Sequence, residues 1–255
     1  LYPEMYERLI TAARKTNADI AVCGYLYQYP DRDVTIDFPF MKDCFLDRTY
    51  IKESVAPFML GDSALNSLWN KIIRRDVVIK NDIRLCLGQR YGEDRDFFLK
   101  CLASSNGICF ISYTGYFYRR VPTGAIQKAR RDYVDTMIEC AQKPELYTAL
   151  GVDEKTAQAA CENEKAKQLL SSIAFTERNF KGKERREALK AIMNDERVKS
   201  MTDAVLNPSF GEFSRFDRLI AGAVNKKSLF SLRLYTKLMK LRVSLYGLLR
   251  REKEE

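Results

Sequence analysis

Strand patterns and helix patterns alternate through the first half of this 255-residue chain, and only helical patterns follow them. The run ADIAVCGYLYQY, residues 18–29, is rich in β-branched and aromatic side chains, which is typical of a mostly buried strand. Residues 1–16 before it carry apolar side chains at helical spacing. Strands that alternate with helices predict an α/β layered fold. The change of pattern near residues 122–126 predicts a domain boundary.

Local periodicity predicts the remaining elements of the first half. Strands are expected in three runs: VTIDF (34–38), IRLCLG (83–88) and ICFISYTGYFYRR (108–120). Helices are expected over residues 48–60, 64–76 and 92–105. In the second of these helices the apolar spacing places five side chains on one face: Leu65, Leu68, Trp69, Ile72 and Ile73.

The chain contains no histidine, which limits its chemistry. Ser-His-Asp and Cys-His nucleophile schemes and most transition-metal sites are thereby excluded. Acid–base work must fall to Asp, Glu, Lys or Tyr. No apolar run approaches the roughly 18 residues that span a bilayer, and the amphipathic start predicts no signal peptide. Because the chain opens without Met, we expect its true N-terminus to lie upstream.

Seven cysteines are scattered along the chain without a Cys-x-x-Cys pair. Most lie in apolar contexts such as IAVCGY, where a reduced cysteine behaves as a small buried hydrophobe. This pattern favours a reducing, cytoplasmic compartment and disfavours a zinc site.

The net charge of +9 comes from one segment. Between Arg218 and Arg251 there are nine Lys and Arg residues and no acidic residue, and the other 34 basic residues balance 34 acidic ones. Residues 226–255 predict a basic amphipathic helix with a stripe of Phe230, Leu234, Leu238, Leu241, Leu245 and Leu248. The opposite face is expected to carry Lys226, Arg233, Lys237 and Lys240.

Such a helix, with cations and no acids, favours an anionic membrane surface. Packing of the helix on its own domain is the alternative. Nucleic acid is disfavoured as a partner, because no nucleic-acid-binding motif accompanies the basic residues.

Four motifs in the first 125 residues carry a family resemblance. In chain order they are the helix and strand PEMYERLITAARKTNADIAVCGY, Trp69-Asn70-Lys71, Glu93-Asp94 and Tyr116-Phe117-Tyr118-Arg119. In that order they resemble the second half of the GT-A domain of family-2 glycosyltransferases that build bacterial surface polysaccharides. The resemblance implies the C-terminal, acceptor-side half of this Rossmann-like α/β domain in residues 1–125. An all-α extension (126–225) and the basic helix (226–255) would follow.

The resemblance also implies an activity. The intact enzyme would be an inverting transferase that uses a nucleotide-sugar donor, a saccharide or lipid-linked acceptor and a divalent metal, Mn or Mg. The family's donor-binding half, with its metal-holding Asp-x-Asp, would lie before Leu1, so this chain alone is expected to be inactive. The Asp31-Arg32-Asp33 triplet has the form of that motif but follows the wrong strand, so no metal ligand is expected here.

Glu93 and Asp94 are the candidate catalytic residues. Acidic residues at a helix start also cap backbone N–H groups and oppose the helix dipole, so a structural role is compatible with a catalytic one. The resemblance implies that Asp94 is the base that deprotonates the acceptor hydroxyl, with Glu93 in a more structural role.

Six further residues are candidate substrate contacts. Trp69, the only tryptophan, is either a core aromatic or a platform for the acceptor sugar. Lys71 and Arg75 are either solvated cations or ligands of a phosphate or acidic sugar. The resemblance adds Asn70, Tyr118 and Arg119 to these contacts. A non-catalytic module, whose helices mediate membrane docking or assembly, is the competing reading. Under the enzyme reading the protein would be cytoplasmic and peripheral at the inner face of the plasma membrane.

Overall fold

A computed structural model describes residues 1–29, 32–89, 91–119, 141–208 and 213–239. The described residues form two compact units, one of residues 1–119 and 142–161 and one of residues 162–208 and 213–239. The expected boundary at residues 125/126 lies outside the described residues. Residues 142–161, which the sequence assigned to the helical extension, belong to the first unit.

A five-stranded mixed sheet forms the centre of the first unit. Its strands are β1 (Ile20–Gln28), β2 (Asp33–Ile36), β3 (Leu46–Asp47), β4 (Lys71–Ile73) and β5 (Gly107–Arg119). The long strands β1 and β5 pair in parallel from Ile20 opposite Ile108 to Gln28 opposite Arg119. β2 and β4 both pair antiparallel with β1, and β3 pairs antiparallel with β5.

Helices cover both faces of this sheet. They are α1 (Met5–Thr16), α2 (Arg48–Tyr50), a π-helical turn (Ile51–Val55), α3 (Ala56–Gly61), α4 (Arg75–Lys80), α5 (Glu93–Ser104) and α6 (Pro144–Thr148). Alternation along β1 sends Ala21 and Cys23 toward Leu9 of α1, and Ile20 and Val22 into the larger core on the other side. The α/β layered fold is therefore confirmed.

Two sequence-based assignments in this unit are wrong. Residues 64–76 do not form one helix, because turns lead through Asn70 and residues 71–73 pair with β1. Leu65 and Trp69 both contribute to the core although turns carry them, so their spacing resembles that of a helix, and Ile72-Ile73 suits a strand. Residues 83–88 are not a strand: they form a loop that ends in a turn, and they pair with none of the five described strands. The helices over 1–16, 48–60 and 92–105 and the other strands are confirmed.

The second unit is helical throughout its described residues, as the sequence predicts. Its helices are α7 (Glu154–Asn179, in this unit from residue 162), α8 (Gly182–Asn194), α9 (Val198–Leu206), α10 (Arg215–Asn225) and α11 (229–239). They enclose a core that includes Leu169, Ile192, Met201, Ile220 and Leu232.

The basic helix differs from its sequence-based description in two respects. It begins at residue 229 and not at 226, because Lys226 caps the end of α10. Arg233 and Lys237 do not lie opposite the apolar stripe, because both line one cavity with Phe230 and Leu234. At about 100° of turn per residue, position 237 is rotated by only about 20° from position 230. Residues 240–255 lie outside the described part. No described helix is long and apolar enough to cross a membrane.

Candidate active site

A buried lysine organises the turn before β4. Lys71 is 5% exposed, and its Nζ donates to the carbonyl oxygen of Leu65 at 3.1 Å, to Asn70 Oδ1 at 3.1 Å and to the carbonyl oxygen of Ser67. Its ammonium also lies 4.3 Å from the centroid of the Phe98 ring of α5. These contacts occupy its three donors, so Lys71 holds the turn in place. Its role as a substrate contact stays a prediction.

Asn70 joins the same turn to the central strand. Its side-chain amide donates to the carbonyl oxygen of Cys23 at 2.8 Å, and its Oδ1 accepts from Ser67 Oγ at 3.0 Å. The Cys23 N–H in turn donates to the Asn70 carbonyl oxygen at 3.0 Å. Asn70 is fully buried, so any contact with substrate stays a prediction.

Asp94 faces this turn from the start of α5. The backbone N–H of Leu68 donates to its carboxyl, and the Lys71 ammonium attracts it. Burial nevertheless raises the pKa of Asp94, because desolvation of the carboxylate outweighs these two interactions. Burial lowers the pKa of Lys71 to about 7, against the attraction of Asp94 and Cys23. The two groups thus form a pair in which each is less readily ionised than in water.

The start of α5 depends on one glycine. Gly92 has φ +73°, a left-handed conformation that side chains disfavour, and a Cβ there would lie 3.0 Å from the Arg95 guanidinium. Glu93, Asp94 and Asp96 then lie in the first turn, where the helix dipole favours negative charge. Glu93 is half-buried beside Asp94, and its catalytic role stays a prediction.

An aromatic cluster lies on the same turn. The Trp69 ring stacks on Tyr116 of β5, with centroids 4.1 Å apart and planes 25° apart. The ring centroid of Tyr118 lies 5.6 Å from that of Trp69. Tyr25 of β1 packs edge-on against the Trp69 ring, with centroids 4.7 Å apart. Both readings of Trp69 stay open, since the residue packs in this cluster and yet remains partly exposed.

A second ionic cluster supports the start of α5. Asp96 is buried and accepts from Arg95 Nη2 at 2.7 Å, from Lys143 Nζ at 2.6 Å and from Gln89 Nε2 at 3.1 Å. Burial alone would raise the pKa of Asp96, but the hydrogen bonds from Lys143, Arg95 and Gln89 outweigh it and lower the pKa. The cluster ties residues before and after α5 to the helix that carries Asp94.

Two of the predicted contacts are exposed at the ends of secondary-structure elements. Arg75 is exposed and begins α4, beyond the end of β4. Arg119 is exposed at the end of β5, next to Tyr118. Their roles toward substrate stay predictions, as does that of Tyr118.

Sequence reasoning missed several residues of this region. Tyr25 and Tyr27 on β1 match Tyr116 and Tyr118 on the parallel strand β5, and both pairs have the spacing of one strand face. This repeated Tyr-x-Tyr spacing is a signal that could have found them. No comparable signal links Asp96 to Lys143, since 47 residues separate them.

Within the described ranges, no group of three His, Cys, Asp or Glu side chains is arranged to hold a metal ion. Asp33 begins β2 and is exposed, and Asp31 lies outside those ranges. None of the six described cysteines is in a disulfide bond.

Comparison with solved structures identifies the fold. No protein-family model matches the sequence, and no curated protein matches it significantly. The S. aureus glycosyltransferase TarS does match in structure. TarS 1-349 with UDP gives a TM-score of 0.50 at 14% identity, covering 92% of this chain and 62% of that one. TarS 1-349 with UDP-GlcNAc gives 0.51 at 14% identity, covering 93% and 64%.

A further TarS structure gives a TM-score of 0.53 at 12% identity, covering 91% of this chain and 37% of that one. The chain has the mixed α/β fold of these glycosyltransferase structures. It spans less than two thirds of their length.

Proposed function

We propose that this chain is the acceptor-side part of an inverting glycosyltransferase that uses a nucleotide-sugar donor in bacterial surface-polysaccharide synthesis. The observation that carries the proposal is the position of Asp94. It faces the Trp69 turn, and burial raises its pKa. A fold shared with glycosyltransferase structures and the order of the sequence motifs support the same activity.

In the proposed reaction Asp94 acts as the general base. Its carboxylate takes the proton of an acceptor hydroxyl while that oxygen attacks the anomeric carbon of the donor sugar. The bond from the anomeric carbon to the leaving phosphate breaks, and the nucleoside diphosphate leaves with the bonding electrons. A carboxylate with a raised pKa is a stronger base, so the desolvation of Asp94 suits this step. Trp69 and Tyr118 supply flat apolar surface for the acceptor sugar.

The donor side is proposed to lie elsewhere. Two of the matching TarS structures contain UDP or UDP-GlcNAc, which supports a nucleotide-sugar as the donor class. The described residues do not fit a divalent metal, because no cluster of suitable ligands is present among them. We propose that the donor and metal ligands lie on a segment before Leu1 and that residues 1–255 alone are inactive.

We further propose that the enzyme is peripheral at the cytoplasmic face of the plasma membrane, where lipid-linked acceptors are accessible. The basic segment 226–251 supplies the attraction to anionic lipid.

A non-catalytic docking or assembly module is the second candidate. It is favoured by the independent hydrophobic core of the second unit and by the exposed side chains of Phe230, Leu234 and Leu238. An activity measurement separates the two candidates.

The direct test incubates the full-length gene product with UDP-GlcNAc and other UDP-sugars and a panel of polysaccharide acceptors, and measures UDP release. Transfer predicts release that depends on the acceptor. Release that is absent with every donor, from a folded full-length protein, would favour the module.

A further inference from the structure

A basic cavity with an apolar rim lies on the second unit. Helices α8 and α11 form it, and its volume is about 500 Å³. It is lined by Arg186, Lys190, Leu229, Phe230, Arg233, Leu234 and Lys237. Four of these seven residues are cationic, three are apolar and none is acidic, so the cavity suits a ligand with both an anionic and an apolar part.

The apolar rim arises because α11 has apolar side chains on two faces. Leu232 is fully buried in the helical core, and Tyr235 and Met239 pack against that core. The stripe predicted from the sequence is the other face: Phe230 is 79% exposed, and Leu234 is also exposed. Among the described residues of the stripe, Phe230, Leu234 and Leu238 are exposed and none belongs to the helical core.

A buried acid lies beside Arg233 at the cavity. The Glu177 carboxylate is 3% exposed and lies 3.5 Å from Arg185 Nη1 and 4.0 Å from Arg233 Nε. A buried carboxylate near two guanidinium groups offsets part of their charge. Arg186 and Lys190 on α8 add two further positive charges to the lining of the cavity.

We propose that this cavity is the contact of the second unit with an anionic lipid bilayer. Arg186, Lys190 and Lys237 bind headgroup phosphates, while Phe230 and Leu234 enter the interfacial region. The proposal rests on the proposed membrane location and extends it to α8, whose cations the sequence pattern did not indicate.

An anionic bilayer fits the cavity better than a soluble phosphate or a nucleic-acid duplex does. A soluble phosphate would occupy the cations but leave Phe230 in water. A nucleic-acid duplex offers negative charge along its backbone but no apolar phase for the stripe. An anionic lipid surface meets both requirements at once, because its phosphates lie directly above its hydrocarbon.

Co-sedimentation of the 255-residue chain with vesicles tests the proposal. Binding to phosphatidylglycerol-rich vesicles is compared with binding to phosphatidylcholine vesicles for wild type, Arg186→Gln/Lys190→Gln and Phe230→Ser. The matched control is Lys181→Gln/Lys183→Gln, which removes two cations of the same α8 region that do not line the cavity. Circular dichroism verifies that every variant keeps its helix content.

The double variant at the cavity should weaken the partition coefficient roughly 30-fold, since each cation near an anionic surface contributes about a factor of five. The partition coefficient of the control variant should fall by no more than about threefold. Phe230→Ser should release the protein more readily at high salt, where screening leaves mainly the apolar contribution. Equal falls in the partition coefficient of the cavity variant and the control would overturn the proposal. The attraction would then depend on the total positive charge and not on the cavity.

The remaining outcomes separate this inference from the proposed function. If wild type binds the vesicles and both double variants bind as wild type does, the membrane location stands and the cavity is not its contact. If wild type binds neither vesicle, the location and the inference both fail, while transfer to a soluble acceptor still tests the glycosyltransferase. Binding of duplex DNA with the same dependence on Arg186 and Lys190 would replace lipid by nucleic acid.

Discussion

Trp69 stacks on Tyr116 with ring centroids 4.1 Å apart, and the turn that carries Trp69 is held by Lys71. The pair joins the end of that turn to β5, so the environment of the indole reports on the turn. Because Trp69 is the only tryptophan of the chain, its fluorescence isolates this region.

The first prediction uses this fluorescence. The pKa of Lys71 is lowered to about 7 by burial, with Asp94 and Cys23 as the facing groups that oppose the shift. As pH rises through that value, a neutral amine donates more weakly to the carbonyl oxygens of Leu65 and Ser67, and the turn relaxes. Trp69 emission should therefore titrate with a midpoint near pH 7.

Lys71→Met should abolish this transition, whereas Lys80→Met, a change of an exposed lysine on α4, should leave it in place. Persistence of the same midpoint in Lys71→Met would assign the titration to another group.

The second prediction concerns the Asp96 cluster. Asp96→Asn leaves the buried Arg95 guanidinium without its carboxylate, so the free energy of unfolding should fall by about 3 kcal/mol. Urea unfolding followed by Trp69 emission measures this in the first unit. Asp76→Asn, which breaks the exposed pair with Lys80, should cost less than about 1 kcal/mol.

The destabilisation caused by Asp96→Asn should depend on pH and should decrease in acid. The pKa of Asp96 is lowered in the folded protein, so its stabilisation is present above the unfolded pKa of about 3.9 and is lost as pH falls through the folded value. The difference between wild type and Asp96→Asn should shrink over that acidic range. A difference that is constant with pH would show that charge is not its source.

The third prediction tests the start of α5. Gly92→Ala forces a side chain into a left-handed conformation, and its Cβ meets the Arg95 guanidinium at 3.0 Å. It should destabilise the first unit by about 1–2 kcal/mol. Gly61→Ala, in the last turn of α3 where a Cβ meets nothing within 4 Å, is the control and should be close to neutral. Equal effects of the two changes would contradict a special role for Gly92.

The central strands and α5 could be predicted from the sequence, because their patterns are local and match their burial. Alternation along β1 and the acidic first turn of α5 are visible without partners. The turn from Leu65 to Asn70 was mistaken for a helix, since its shape depends on pairing with β1, 47 residues away along the chain. Of the two readings of Lys71, the solvated cation is wrong for the same reason, because its carbonyl acceptors come together only in the folded turn.

The fourth prediction concerns the donor side. Residues 1–255 alone should show no calorimetric binding of UDP-GlcNAc or Mn²⁺, because the described residues hold no metal cluster and the donor ligands are proposed to precede Leu1. The full-length gene product should bind both. Micromolar affinity of the 255-residue chain for both ligands would place donor ligands within it and contradict the proposed division.

The base assignment is tested most directly by Asp94→Asn in the full-length gene product. An amide oxygen can still accept the hydrogen bond from the Leu68 N–H, but the amide cannot take a proton, so turnover should fall at least about 100-fold. Binding of UDP-GlcNAc and the free energy of unfolding should stay close to wild type. Asp76→Asn, an aspartate in the first turn of α4, is the matched control and should keep wild-type turnover. If Asp94→Asn instead retains more than about a tenth of wild-type turnover, Asp94 is not the base.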